Sequence, residues 1–174
     1  CPELRRRCAE SLAEIGFDGY GFGGWPVDAA GRLVDAVGMT AELMPRDCPT
    51  WALGIGKPEH VVAAAAMGYD LFDCVIPTRD ARHGRLYAFL PGGEGRLEEP
   101  LYETVYIADD RYVRDGRPIE EGCDCLTCTR YSRAYLHHLF HVKEASGMRL
   151  ATVHNLRFYA RLMEHLRRRR SEHG

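Results

Sequence analysis

At 174 residues and 19.7 kDa, with 45% hydrophobic and 28% charged residues, the chain supports one compact domain with a real core, or one domain with a small appended module. A formal net charge of -2 excludes a globally basic nucleic-acid binder, so any RNA site has to come from local clustering. Seven unevenly spread cysteines, with no signal peptide and no apolar run long enough to span a membrane, point to a reducing cytoplasm rather than a disulfide framework. The chain begins at Cys1, not at methionine, and reads as a piece of something longer.

The first half alternates helix-like and strand-like segments. "PELRRRCAESLAEI" has helical periodicity that places Leu4, Cys8, Leu12 and Ile15 on one face. "DGYGFGG" reads as a short buried strand ending in glycines. A second helix covers roughly Asp35 to Met44, and "WALGIG" follows as a strand. Pro58 suits a helix start, and "PEHVVAAAAMG" runs to a stop at Gly68. "YDLFDCVIP" is the third apolar strand. This β-α-β-α-β rhythm with short connections predicts parallel strands in an α/β sheet or barrel. Three strands cannot close a barrel, which agrees with a fragment.

From about Gly84 to Gly122 the pattern changes. "GRLYAFL" and "LYETVYIA" predict antiparallel strands around "PGGEG", and "DGRP" predicts a turn. Two helices follow, roughly Tyr131–Ser146 and Arg149–Arg169. Their predicted apolar stripes are Tyr135, Leu136, Leu139 and Phe140 on the first, and Leu156, Tyr159, Ala160 and Met163 on the second. The "RRRR" run at 167–170 reads as a solvated helix end that suits the negative pole of the helix dipole. The segments divide into 1–89 for the strands and helices, 90–146 for a hairpin and the cysteine cluster, and 147–174 for a C-terminal helix.

"CDCLTC" at 123–128 gathers three thiols within six positions. Cys123 and Cys125 are too close for a relaxed disulfide, while Cys125 and Cys128 have the spacing shared by redox pairs and metal knuckles. So tight a cluster of unligated thiols would be an oxidation hazard, and three thiolates with one histidine suit tetrahedral zinc. His137, His138, His141 and His154 are candidate fourth ligands, and spacing does not choose between them.

With these segments placed, the chain resembles the C-terminal half of the tRNA-guanine transglycosylases, the queuosine-inserting enzymes. The matching stretches are "FDGYGFGG", "GIGKPEHVV", "GYDLFDCVIPTRDARHG", "CDCLTCTRYSRAYLHHL" and "HNLRFYARLM". The resemblance implies a TIM-type (β/α)8 barrel, makes 90–146 a hairpin insertion and zinc-binding subdomain, and selects His154 as the fourth zinc ligand. Cys1, Cys8, Cys48 and Cys74 are left as small hydrophobes.

Catalysis in TIM barrels sits at the C-terminal mouth of the strands. Asp70 and Asp73 both fall on the third predicted strand, where the composition alone reads Asp70 as a strand-entry residue and Asp73 as a salt-bridge partner. The resemblance makes Asp73 the nucleophile that attacks ribose C1′ of the wobble guanosine at position 34 and holds the RNA as an ester until a 7-deazaguanine (prequeuosine base or queuine) displaces it. The glycines of "GFGGW" fit a purine pocket, because glycine lets the backbone approach a flat base, and the resemblance places Gly23 and Gly24 there with Leu53 against the ring. Trp25-Pro26 departs from the leucine and small residue usual there.

The resemblance also implies RNA contacts from Gly54, Ile55, Gly56, Lys57, Pro58, Glu59 and His60, and from Thr78, Arg79, Asp80, Ala81 and Arg82, as loops at the barrel mouth. The implied partners are the anticodon loops of tRNAs with a GUN anticodon, with a homodimer for the full-length protein and no membrane. The family's acid/base aspartate has no counterpart here. A non-catalytic accessory subunit of the same family is the competing expectation, and a purely structural zinc module is a weaker one.

Overall fold

The computed structural model describes residues 1–90 and 100–173, so the "PGGEG" expected at a hairpin tip lies outside the described residues. It contains two compact units, Cys1–Val75 and Ile76–Gly174.

In the first unit, α1 (Pro2–Ile15), β1 (Tyr20–Phe22), α2 (Asp35–Leu43), β2 (Thr50–Leu53), α3 (Pro58–Ala66) and β3 (Leu71–Asp73) alternate as expected. The strands form a parallel sheet in the order β1-β2-β3, with Phe22 beside Ala52 and Ala52 beside Phe72. Partners across a parallel ladder point to the same side. Phe22 and Ala52 are buried on one face, whereas Gly21, Trp51, Leu53, Leu71 and Asp73 share the exposed face. The strands are therefore half-buried rather than the apolar buried runs the sequence implied.

Helix α1 forms where expected, with Pro2 in its first turn and Gly16 closing it at φ 76°. Its predicted stripe is not core, for Leu4, Leu12 and Ile15 are exposed. Leu4, Cys8 and Leu12 line a cavity of about 490 Å3 with Tyr20, Thr40 and Met44. Of the cysteines left as small hydrophobes, Cys1 and Cys8 are exposed and Cys48 and Cys74 half-buried. Tyr69 ties α2 to the start of β3 through a buried hydrogen bond from its hydroxyl to Val37 O, 2.9 Å long.

The second unit holds α4 (Ile76–Arg82), β4 (Arg85–Phe89), β5 (Tyr102–Tyr106), α5 (Leu126–Arg130), α6 (Arg133–His141) and α7 (Ala145–His173), with a short 3-10 turn at Asp110–Tyr112. The stretch "VIPTRDAR", expected as strand end and loop, is helical from Ile76, because a proline at the second helical position costs no intrahelical hydrogen bond. β4 and β5 pair antiparallel from Arg85 beside Tyr106 to Phe89 beside Tyr102. α4 and β4 pack on α7, which draws them into the unit of the cysteine cluster.

Two predicted helices shift. Ser132 caps α6 by accepting a hydrogen bond from Tyr135 N, so the helix starts at Arg133, and Lys143 at φ 58° breaks the chain before α7 begins at Ala145. Gly147 lies inside α7 because a β-carbon there would stand 2.9 Å from Leu139 Cβ, so the close approach of α6 and α7 requires glycine. The buried stripe of α7 is Ala151, His154, Asn155, Phe158, Arg161 and Leu162, not Leu156, Tyr159, Ala160 and Met163, of which Leu156 and Ala160 are exposed. Polar residues at three core positions hide this face from hydropathy.

One of them, Arg161, forms a buried ion pair with Glu120 and lies over the Phe89 ring at 5.0 Å from its centroid. The two side chains are only 7% and 6% exposed. Arg161→Met, which strands the Glu120 carboxylate, is expected to destabilise the protein by about 3 kcal/mol in denaturant unfolding. Adding Glu120→Gln should recover part of that loss, since a neutral amide still accepts from Phe89 N.

Candidate active site and metal centre

At the C-terminal edge of the parallel sheet, each strand ends in residues suited to a ligand. β1 leads into Gly23 and Gly24, the latter at φ 129°, a conformation that favours glycine. β2 ends at Leu53, 37% exposed, and turns through Gly54 at φ 75°. β3 ends at Asp73, directly beside Leu53 in the ladder. Gly21 makes room for this arrangement: a β-carbon there would come within 2.8 Å of Leu53 Cδ1. Gly23, Gly24, Leu53 and Asp73 thus share one edge of one sheet.

Asp73 is exposed, yet its orientation is held. Oδ1 accepts hydrogen bonds from Trp51 Nε1 at 3.0 Å and from Gly54 N at 3.4 Å, while its backbone carbonyl accepts from Gly54 N at 3.1 Å. Asp70 lies at the opposite end of the strand. Its Oδ2 accepts from Thr50 N and Thr50 Oγ1, at 2.9 and 3.1 Å, which fits the strand-entry role.

The segment after β2 divides by burial. Ile55, Gly56 and Pro58 are buried, Lys57 is exposed, and Glu59 and His60 are half-buried in the first turn of α3. Burial holds the His60 pKa below its ordinary value, with nearby Glu59 opposing. On α4, Arg79 and Arg82 are exposed and Thr78 is half-buried. Ala81 is fully buried, and Asp80 is engaged by the Tyr87 hydroxyl, Arg79 and Arg85. Asp80 and Ala81 therefore shape this segment from inside, and only Arg79 and Arg82 of the five present charge outward. Burial, reinforced by the Asp80 hydrogen bond, pushes the Tyr87 phenol far up and keeps it a donor.

In the second unit, Cys123, Cys125, Cys128 and His154 bring their ligand atoms within 4.8 Å of one another. Gly122, at φ 80°, turns the chain into the cluster. Cys125 caps α5 and accepts a hydrogen bond from Cys128 N at 3.3 Å, which locks the C-x-x-C turn. His154 comes from the buried face of α7, and its Nδ1 lies 3.8, 3.6 and 3.3 Å from the three sulfurs. Its other nitrogen, Nε2, donates to Tyr87 O at 2.7 Å, which leaves Nδ1 as the ligand atom. Burial opposes charge on His154, but hydrogen bonds to Cys125 and Cys128 outweigh it and raise the pKa to about 10. Three sulfurs and one imidazole nitrogen make the donor set of a closed tetrahedral metal site.

The other candidate histidines are placed elsewhere: His137 engages Ile107 O at 3.0 Å, and His138 and His141 are exposed. Next to His154, Asn155 donates from Nδ2 to Pro77 O and Arg85 O, both at 3.0 Å, and accepts from Tyr87 N at 3.2 Å. Sequence reasoning missed Asn155, Trp51 and the Glu120–Arg161 pair. The "HN" dipeptide was the available signal for Asn155, and neither of the others carries one.

The chain is thus an α/β protein that pairs a carboxylate at a parallel-sheet mouth with a four-ligand metal centre. Residues 1–172 match the family model described as queuine tRNA-ribosyltransferase. Named relatives of that description include one from Psychrobacter sp. (strain PRwf-1), 43% identical over 166 residues covering 95% of this chain and 42% of the relative. Another from Blochmanniella floridana is 45% identical over 167 residues, covering 95% and 41%, and one from Helicobacter pylori (strain HPAG1) is 41% identical over 163 residues, covering 93% and 41%. This chain belongs to the queuine tRNA-ribosyltransferase family, and it spans about two-fifths of the length of these curated relatives.

Elemental analysis of purified protein is expected to find about one divalent metal ion per chain. His154→Ala should lose it, because three thiolates leave an open position. His141→Ala should retain it.

Proposed function

We propose that this chain is a portion of a tRNA-guanine transglycosylase that exchanges guanine at the tRNA wobble position for a 7-deazaguanine. The observation that carries the proposal is the shared sheet edge of Gly23, Gly24, Leu53 and Asp73, in a chain whose residues 1–172 match the family. The three parallel strands are then the C-terminal part of a (β/α)8 barrel, whose interior face carries Trp51, Leu53 and Asp73.

The glycine pair lets a flat base approach the backbone, and Leu53 packs on its ring. Asp73 attacks ribose C1′: a carboxylate lone pair forms the ester bond as the C1′–N9 bond breaks and its electron pair leaves with guanine, which takes up a proton. The incoming base then bonds to C1′ through N9, gives up a proton, and returns the ester pair to Asp73. Protons balance over the cycle, and a general acid–base group carries them between bases. Lys57, Arg79 and Arg82, each exposed, serve RNA phosphates or base edges. The tRNA substrate, with its GUN anticodon, places the work in the cytoplasm, and no helix among the described residues is long and apolar enough to cross a membrane.

The metal is assigned as zinc. Zinc bonds of about 2.3 Å to sulfur and about 2.05 Å to nitrogen give a tetrahedral S–N edge of about 3.6 Å. The sulfur-to-Nδ1 distances of 3.8, 3.6 and 3.3 Å bracket it. With four protein ligands, the ion supplies structure and no chemistry.

In the full-length protein, Asp73→Ala and Asp73→Asn are expected to abolish both guanine exchange and the covalent RNA adduct on denaturing gels, with metal content unchanged. A surviving adduct would move the nucleophile elsewhere. Arg79→Ala and Arg82→Ala are each expected to weaken anticodon stem-loop binding and to lower the slope of log affinity against log salt by about 1. An unchanged slope in both variants would make them ordinary solvated side chains.

A further inference from the structure

Trp51 is half-exposed on a strand where the alternation calls for a pocket-facing residue, and its indole does more than occupy space. We propose that Trp51 is a positioning residue for the nucleophile: its N–H anchors Asp73 Oδ1 and leaves Oδ2 as the attacking oxygen. The proposal rests on the assignment of Asp73 as nucleophile.

Two donors converge on one oxygen. Trp51 Nε1 lies 3.0 Å and Gly54 N 3.4 Å from Oδ1, and among the described residues no hydrogen bond reaches Oδ2. The convergence follows from the ladder. Leu53 sits directly beside Asp73, so Trp51, two residues earlier on the same face, reaches the carboxylate diagonally, and Gly54, one residue later, turns its N–H toward it. Asp73 is exposed, and without an anchor its carboxylate would rotate and exchange its two oxygens.

The chemistry of the donor matters. An indole N–H donates and never accepts, and it does not titrate in the working range. It therefore cannot deliver a proton to the carboxylate, as an acidic hydroxyl could. The oxygen that carries two hydrogen bonds has its lone pairs engaged. The other keeps a lone pair for C1′, forming the Oδ2–C1′ bond as the C1′–N9 pair departs with guanine. When the second base attacks, the ester pair returns to Oδ2. Holding one oxygen fixes the approach of the other, a geometric contribution to the barrel-mouth chemistry rather than to binding.

The test uses the full-length protein with an anticodon stem-loop and labelled guanine. Trp51→Phe keeps an aromatic ring and removes the donor. The expected result is a roughly ten- to hundredfold fall in kcat and in the rate of adduct formation, with KM for RNA and for guanine within about twofold. Trp51→His, whose Nε2–H has a similar reach, is expected to recover much of the loss. Replacing Trp51 by benzothienylalanine, which substitutes sulfur for the N–H in a near-isosteric ring, should reproduce the Phe defect and carries the test if the Phe variant is poorly folded by metal content and melting. Unimpaired kcat and adduct rate in the benzothienyl protein would overturn the proposal. So would a raised KM at unchanged kcat, which would make Trp51 part of the binding surface. Asp73→Asn run in parallel separates the two assignments: an inactive Asp73→Asn beside an unimpaired Trp51 variant overturns only the role of Trp51, whereas an adduct that persists in Asp73→Asn overturns the nucleophile on which it rests.

Discussion

The outer edge of β4 is the constraint around which the second unit is built. Ile107 N donates to Gly84 O, so in the antiparallel ladder the even-numbered residues of β4 bond β5 and the odd-numbered ones point away. Those outward groups have to be satisfied without another strand. Asn155 takes Arg85 O and Tyr87 N, His154 takes Tyr87 O, and Glu120 takes Phe89 N. Side chains thus replace a third strand. Each is buried, and each also serves a second partner, since Asn155 holds the start of α4, His154 faces the three sulfurs, and Glu120 pairs with Arg161. Removing any one of them breaks two interactions at once.

The first unit follows a different logic. Its sheet has a covered face built from Phe22 and Ala52 and an open one that carries Gly21, Trp51, Leu53, Leu71 and Asp73. Period-2 alternation sorts these residues with no special device, and the side chains of the candidate site come from the open face. The glycines then set the distances. Gly21 admits Leu53, and Gly54 turns the chain so that its N–H meets Asp73.

Much of this was legible in the sequence. The alternating helices and strands of the first unit, the hairpin strands and the cysteine cluster all follow from local patterns that the tertiary structure leaves undisturbed. The misplaced helix faces have one physical cause, which is that burial and hydropathy part company. In α7 the core positions include His154, Asn155 and Arg161, so an apolar-moment reading rotates the helix toward Leu156, which is exposed. In α1 the reverse holds, and a convincing stripe of Leu4, Leu12 and Ile15 faces outward. Gly147 reads as a break but marks a close helix contact. The bond from Trp51 to Asp73 joins residues 22 positions apart and has no sequence signature.

His154 belongs to the four-ligand cluster and to the strand edge alike, so one imidazole couples the two. Loss of the ion removes the reason for His154 Nδ1 to stay among the sulfurs, and its Nε2 leaves the Tyr87 carbonyl with it. The Tyr87 carbonyl is then left open on an edge that Asn155 and Glu120 otherwise keep closed, and an open edge is a template on which one copy of a protein adds a strand to another. A metal held by Cys123, Cys125, Cys128 and His154 would in this sense also keep an edge strand closed to its own kind.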